Sequence, residues 1–321
     1  MLYWRLQQRK TFTFWKDLAD FLELDESNRK EILENTNFPL QLPYRLAEKI
    51  KKNCLKDPVL LQFLPIKQES ISKLGFVSDP VGDALSQKCP KLLHKYEGRV
   101  LLITTSACAM HCRYCFRRNF PYDTTPSSFE NEIAYIKNDS SIHEVILSGG
   151  DPLSLSNAHL RNLLFALCDI PHIQIIRFHS RFPIGIPERI DEEFLNILKS
   201  CSKQIIFVLH CNHKQELDSD IFSALKKIQC LGIPILNQSV LLKGINDSIE
   251  VLSDLFRSLA YHGIIPYYLH QLDKAIGTSH FETSEDTGKY LIEELTKILP
   301  GYCIPKYVKE LSQESSKHRI L

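Results

Sequence analysis

Three cysteines within one short loop constrain this chain more than any other feature. Cys108, Cys112 and Cys115 follow the spacing C-x₃-C-x₂-C in Cys108-Ala109-Met110-His111-Cys112-Arg113-Tyr114-Cys115, directly after the apolar run Val100-Leu101-Leu102-Ile103-Thr104. Thiols this close converge on an inorganic centre; a structural zinc knuckle or three unrelated buried thiols are the competing readings. Structural zinc wants a fourth protein ligand, whereas a four-iron cluster held by three thiolates leaves one iron open to a small molecule. The open iron would be the reactive position.

Composition narrows the class. With 321 residues and 44% apolar content, the chain can bury one barrel-sized core plus a smaller lobe. Its 39 Lys and Arg nearly cancel 38 Asp and Glu, which gives no electrostatic case for nucleic acid or a membrane as partner and favours a small-molecule substrate. The first ten residues lack an apolar signal core, and no apolar run approaches the roughly 18 residues of a membrane span, so a cytoplasmic protein is expected. The other seven cysteines, Cys54, Cys89, Cys168, Cys201, Cys211, Cys230 and Cys303, show no framework spacing and read as free thiols of a reducing compartment.

Along the chain, residues 14–22 and 44–50 carry apolar side chains at helical spacing around Pro39 and Pro43, and residues 1–95 are expected as a helical N-terminal lobe. Ser78-Asp79-Pro80-Val81-Gly82-Asp83 reads as a turn leading towards the cysteines. From Val100 onward the pattern alternates. Strands are predicted at 100–104, 144–148, 173–179, 204–210, 234–241 and 264–270, and helices at about 127–138, 156–168, 188–200, 215–231, 247–262 and 284–298. Six βα units require a parallel sheet with helical crossovers: an α/β fold, either an incomplete (β/α)6 barrel over residues 96–300 or a doubly wound open sheet.

In a parallel barrel the strand C-termini share one face, where chemistry collects. Here those ends carry the cysteine loop, Ser148-Gly149-Gly150-Asp151-Pro152, His179-Ser180-Arg181, His210-Cys211-Asn212-His213, Asn237-Gln238-Ser239 and His270-Gln271-Leu272-Asp273. Each has a bland alternative. Gly149-Gly150 is either a tight turn or a place where backbone closely approaches a ligand, with Asp151 capping it. His210 and His270 read equally well as core histidines, and Asp273 as a loop acid. Arg117 and Arg181 suit a carboxylate or phosphate ligand but also any neighbouring acid. Tyr267-Tyr268 reads as packing.

The cysteine spacing resembles the radical S-adenosylmethionine (SAM) superfamily, in which SAM chelates the exposed iron. A narrower resemblance rests on five stretches: Leu93-His94-Lys95-Tyr96-Glu97-Gly98-Arg99-Val100-Leu101, Cys112-Arg113-Tyr114-Cys115-Phe116-Arg117-Arg118, Leu147-Ser148-Gly149-Gly150-Asp151-Pro152-Leu153, Arg177-Phe178-His179-Ser180-Arg181-Phe182-Pro183, and Asn237-Gln238-Ser239-Val240-Leu241-Leu242-Lys243-Gly244-Ile245-Asn246-Asp247. In order and content they resemble the lysine 2,3-aminomutase family. The likeness runs from about residue 50 to the C-terminus, and the short tail is most similar to the branch that makes (R)-β-lysine for modification of elongation factor P.

That resemblance implies three cofactors: a [4Fe-4S] cluster on Cys108, Cys112 and Cys115, SAM, and pyridoxal phosphate (PLP) carried by Lys317 in a short PLP-binding tail, residues 301–321, with Lys306 and Lys309 as neighbouring lysines. Glycines before this lysine and a proline after it, usual in the family, are replaced here by Leu311-Ser312-Gln313 and His318-Arg319. It further implies Arg117 on the substrate carboxylate, and Asp273 and Glu310 on the distal amino group, Glu310 standing where an aspartate is usual. Lys95, Tyr96, Arg99 and Arg181 fall where the family holds PLP, and Gly149, Gly150, Asp151, His210 and Gln238 where it holds SAM. The implied reaction is an isomerisation moving the α-amino group of L-lysine to C3. Alternatives are a related aminomutase acting on glutamate or arginine, and a radical SAM enzyme without PLP. The implied partners are a reducing electron donor, elongation factor P and its β-lysine ligase; a homo-oligomer is left open. With the chain ending at Leu321, the zinc-binding extension of other members is not expected.

Overall fold

Runs of β-branched and leucine side chains bounded by polar turns build the centre of the molecule. A computed structural model describes residues 2–122, 128–312 and 314–321. Two short strands, β1 (Thr11–Phe12) and β2 (Leu42–Pro43), pair antiparallel near the N-terminus. The main sheet has ten strands in chain order: β3 (Gln87–Cys89), β4 (Leu92–Tyr96), β5 (Arg99–Thr105), β6 (Glu144–Gly149), β7 (Ile175–Ser180), β8 (Gln204–His210), β9 (Ile235–Val240), β10 (Ile264–His270), β11 (Lys306–Lys309) and β12 (His318–Arg319). Strands β5 to β11 are parallel; β3, β4 and β12 join antiparallel at the edges. The two edge strands do not pair with each other among the described residues, so the barrel is incomplete.

Four helices belong to the N-terminal segment: α1 (Tyr3–Arg9), α2 (Trp15–Phe21), α3 (Glu26–Arg29) and α4 (Tyr44–Ala47). A fifth, α5 (Asp83–Ser86), precedes the sheet. The crossovers use α6 (Glu130–Asn138), α7 (Asn157–Cys168), α8 (Phe182–Gly185) with α9 (Glu192–Lys199), α10 (Ser219–Gln229), α11 (Ile249–Tyr261) and α12 (Glu285–Ile298). Residue 127, the first of the predicted 127–138 helix, lies outside the described residues. Two helices begin about four residues later than their apolar pattern predicts, because capping chemistry decides the boundary. Asp191 accepts from Phe194 N to start α9, and Asp218 accepts from Ile221 N to start α10, leaving the preceding residues in 3₁₀ turns.

The N-terminal segment packs on the barrel rather than beside it. Trp4, Leu18, Leu42 and Phe63 lie in the same buried cluster as the strand residues Leu102, Leu147, Phe178 and Phe207. Trp4 meets Phe182 edge-on at 5.7 Å, with the Arg189 guanidinium 4.6 Å from its ring. Residues 301–321, read from sequence as a tail, contribute two strands to the sheet. β11 extends the parallel run beside β10, and β12 folds back on β11. None of the described helices is long and apolar enough to cross a membrane.

Candidate active site

Every parallel strand delivers its C-terminal end to one face, and the expected residues sit there in two groups. On one side is the cysteine loop. It has no regular secondary structure, so its backbone groups must find partners elsewhere. They find them in the N-terminal segment: His111 N donates to Gln41 O at 2.9 Å, Arg113 N to Gln62 O at 2.8 Å, and Gln41 Nε2 to Cys108 O at 2.7 Å. Beneath the loop, Arg113 donates through Nε to Glu69 at 2.7 Å and through Nη1 to Phe38 O at 2.7 Å, while Arg118 reaches the same carboxylate at 2.8 Å.

The Arg113 and Glu69 side chains are 0% and 2% exposed, so removing the acid would strand two guanidiniums. Glu69→Ala is therefore expected to cost about 3–5 kcal/mol, read as a lowered urea midpoint. A loss under about 1 kcal/mol, the size of an ordinary point substitution, would mean that the network is not holding the loop.

Burial pushes the Cys108 thiol up, and burial with Cys112 close by brings Cys115 up to about 11. Free of metal, these thiols keep their protons, which iron would displace. Among the described residues no three His, Cys, Asp or Glu groups gather tightly enough for a single ion. The three thiols lie within electrostatic reach of one another on one braced loop, a donor set whose chemistry suits a four-iron cluster.

Around the loop the strand ends are wired together. A Cβ on Gly149, at φ +113°, would lie 2.8 Å from Thr105 O, and one on Gly150 would lie 2.4 Å from Ala107 O. The paired glycines thus admit the cysteine loop's own backbone. Asp151 caps Leu153 N at 3.0 Å and also receives Ser180 Oγ at 2.9 Å, Arg181 N at 2.8 Å and Phe182 N at 3.0 Å. Burial raises its carboxyl to about 6 against these four donors.

Arg181, implied at PLP, turns to the cluster side. Its Nη1 donates to Cys112 Sγ at 2.8 Å and to the Tyr114 hydroxyl, and its Nη2 to Gln62 Oε1 at 2.7 Å and Glu216 Oε2 at 2.6 Å. His210 and Gln238 are register partners on adjacent strands. Burial, reinforced by Arg181, Arg117 and Lys317, lowers the His210 imidazole to about 3, and His179 Nδ1 lies 3.2 Å from its Nε2.

The second group collects on Glu310, just beyond β11. Lys317 Nζ donates to Glu310 Oε2 at 2.5 Å, Lys95 Nζ to Oε1 at 2.8 Å, and the Tyr96 hydroxyl to the same carboxylate. Burial alone would raise this acid, but Lys317, Lys95 and Tyr96 hold it down at about 2. The Arg99 guanidinium lies 4.7 Å from the Tyr96 ring. Lys306 is exposed, and Lys309 pairs with Glu285 at 2.8 Å, so neither neighbouring lysine joins this group. Asp273 and Glu310 line one cavity of about 490 Å³ together with Gln271, Glu285 and Lys309. Burial lifts Asp273 to about 7, with Lys317 opposing and Glu310 assisting. His179 Nε2 and His270 Nε2 are buried with no partner, and both imidazoles lie within electrostatic reach of Lys317. Orphaned ring nitrogens beside a lysine and a cluster of cations fit an aromatic, phosphorylated cofactor such as PLP.

Arg117 lies within electrostatic reach of Cys115, and its Nε donates to Asp83 Oδ2 at 2.7 Å. Asp83 was legible only as part of a turn. Nothing local in the sequence signals it, because its partner lies 34 residues further on. Glu69 and Glu216 escaped notice for the same reason.

A parallel sheet with three cysteines on the loop after its first parallel strand is the arrangement of a radical SAM enzyme, and residues 102–256 match the model of the Radical SAM superfamily. Three relatives extend the match over most of the chain, all of them L-lysine 2,3-aminomutases. That of Buchnera aphidicola is 40% identical over 98% of this chain and 94% of its own; that of Haemophilus influenzae is 39% identical over 94% and 90%; that of Escherichia coli is 40% identical over 87% and 82%. The chain belongs to the lysine 2,3-aminomutase family. It is an enzyme, an isomerase, and its cofactors are those of the family: a [4Fe-4S] cluster, SAM and PLP.

Proposed function

We propose that this protein moves the α-amino group of L-lysine to C3, with PLP on Lys317 and the cluster on Cys108, Cys112 and Cys115. The observation that supports the reading is Lys317 paired with Glu310 on the strand-end side, where the His210 imidazole lies within electrostatic reach of both Lys317 and Arg117. Bound there, the cofactors supply a SAM-derived radical that takes hydrogen from C3 and a π-system that stabilises the spin while nitrogen migrates. The chain supplies the frame. Arg117 takes the substrate carboxylate, Asp273 and Glu310 take the distal ammonium, and Lys95, Tyr96 and Arg99 hold the PLP end. Gly149, Gly150, Asp151, His210 and Gln238 shape the SAM end, where Arg181's contact with Cys112 supports a role beside the cluster rather than at the PLP phosphate.

Two acids near Lys317, Glu310 bonded to its ammonium and Asp273 within its electrostatic reach, favour a diamino acid over glutamate, whose distal carboxylate would meet them as like charges. We assign the product as (R)-β-lysine for elongation factor P and its β-lysine ligase, on the family resemblance, and the compartment as cytoplasm.

Borohydride reduction of the PLP-loaded, anaerobically reconstituted protein, followed by peptide mapping, tests the site. A phosphopyridoxyl group on Lys317 is expected; specific labelling of Lys306 or Lys309 would move the assignment, and none at all would remove PLP from the reading. Asp273 gives a pH test. Its folded value of about 7 lies above the ordinary carboxyl value of 3.8, so across that window the folded chain keeps a proton that the unfolded chain has lost. Stability from this group accordingly falls as pH rises through the window, and the ionised form that receives the lysine ammonium appears near neutrality. Lysine affinity is expected to climb as pH rises through about 7. Asp273→Asn should bind lysine more weakly and lack that climb; the same pH profile in both proteins would take Asp273 out of the substrate site.

A further inference from the structure

We propose that Asp83 is a positioning residue for the substrate: its carboxylate takes the Nε–H of Arg117 and so turns the terminal edge of the guanidinium towards the α-carboxylate of the amino acid. This rests on the reading of Arg117 as the carboxylate ligand. A guanidinium has five donors in a rigid fork, and an acid bound side-on at Nε leaves the end-on pair for a second, bidentate carboxylate. The geometry here is of that kind. Asp83 Oδ2 is 2.7 Å from Arg117 Nε, and both side chains are 8% exposed. The Nη1 end makes a long 3.5 Å contact with Ser148 Oγ, which a carboxylate oxygen can displace. The Arg117 guanidinium also lies 4.7 Å from the Phe116 ring, so acid and ring together define its orientation.

The turn that presents Asp83 is itself built into the site. Asp79 accepts from the backbone N–H groups of Asp83 and Ala84, each at 3.0 Å, which starts α5. Gly82 takes φ +70°, and a Cβ there would lie 2.3 Å from Ser312 Oγ, so the turn rests directly against the segment that leads to Lys317. Val81 O accepts from Lys95 Nζ at 2.9 Å. One short stretch, residues 79–86, thereby sets the position of the substrate carboxylate relative to the PLP end. An isolated buried guanidinium could swing; this one is held in register with the lysine that carries the coenzyme.

The test compares L-lysine with cadaverine, the same diamine without the carboxylate. Binding of each to the PLP-loaded protein is followed by the coenzyme's absorbance, alongside KM and kcat for lysine in the fully reconstituted enzyme. Asp83→Ala is expected to weaken lysine about 10- to 100-fold, the worth of one charged hydrogen bond. The loss should fall mainly on KM, with cadaverine unchanged. Asp83→Asn keeps an acceptor for Nε–H and should recover most of the loss, leaving lysine weaker by roughly threefold. Should Asp83→Ala fail to fold, the Asn variant carries the test through the same lysine-specific difference. Equal weakening of both ligands would make Asp83 a structural residue and overturn the proposal. So would unchanged lysine binding in both Asp83 variants while Arg117→Ala is impaired. If Arg117→Ala itself shows no lysine-specific loss, the underlying reading of Arg117 fails, and the Asp83 proposal with it.

Discussion

Lys317→Ala is expected to abolish lysine isomerisation while leaving iron content and reductive SAM cleavage at the level of the parent protein. Two features make the effect large and clean. Among the described residues, Lys317 is the lysine that both binds Glu310 and lies within electrostatic reach of His179, His210 and His270; Lys95 shares the carboxylate but not those imidazoles. Its removal also leaves Glu310 held by Lys95 and Tyr96, and leaves the β11–β12 pairing of Val308 with Arg319 intact, so the fold has little reason to change. Iron and sulfide analysis, deoxyadenosine release and product chromatography check the three parts separately. Isomerisation at the parent rate would remove Lys317 from the coenzyme site.

Cys112→Ala should produce the complementary loss. With the three thiols as the proposed cluster ligands, the variant is expected to lose iron, SAM cleavage and isomerisation together, yet still carry PLP on Lys317. Cys112 has a second tie that strengthens the expectation, since Arg181 donates to its sulfur at 2.8 Å while bound to Glu216 and Gln62. Taking the sulfur away removes a hydrogen-bond acceptor from a buried guanidinium as well as the proposed iron ligand. Full iron content in Cys112→Ala would contradict the cluster assignment. Loss of PLP along with iron would show that the two halves of the face do not fold independently of cofactor.

Much of this architecture is written in local patterns. The strands at 204–210 and 264–270 begin and end where their apolar runs do, because a buried parallel strand needs a continuous run and a turn on each side. β11 escaped because Lys306-Tyr307-Val308-Lys309 is four residues long and begins and ends in lysine, too short for alternation to show. α1 escaped because its buried face is essentially one side chain, Trp4. Helix starts shifted where an aspartate cap overrode amphipathic spacing, as at Asp191 and Asp218.

The site divides in the same way. Cysteine spacing is a local signal and was readable. Lys317 came from family resemblance alone; as one lysine near a chain end it has no periodicity or spacing to mark it. Arg181 was readable as an anion binder, but its partner was not, because Cys112 lies 69 residues away and only the sheet brings the two together. Asp83, Glu69 and Glu216 are acids whose work is done on arginines distant in sequence, and only folding reveals them.

The most direct measurement is product analysis after the anaerobically reconstituted, reduced enzyme is incubated with SAM, PLP and L-lysine. The account predicts β-lysine, formed by turnover that requires all three cofactors and is lost in both Lys317→Ala and Cys112→Ala. SAM cleavage without any isomerised lysine, with the cluster and PLP both in place, would contradict it.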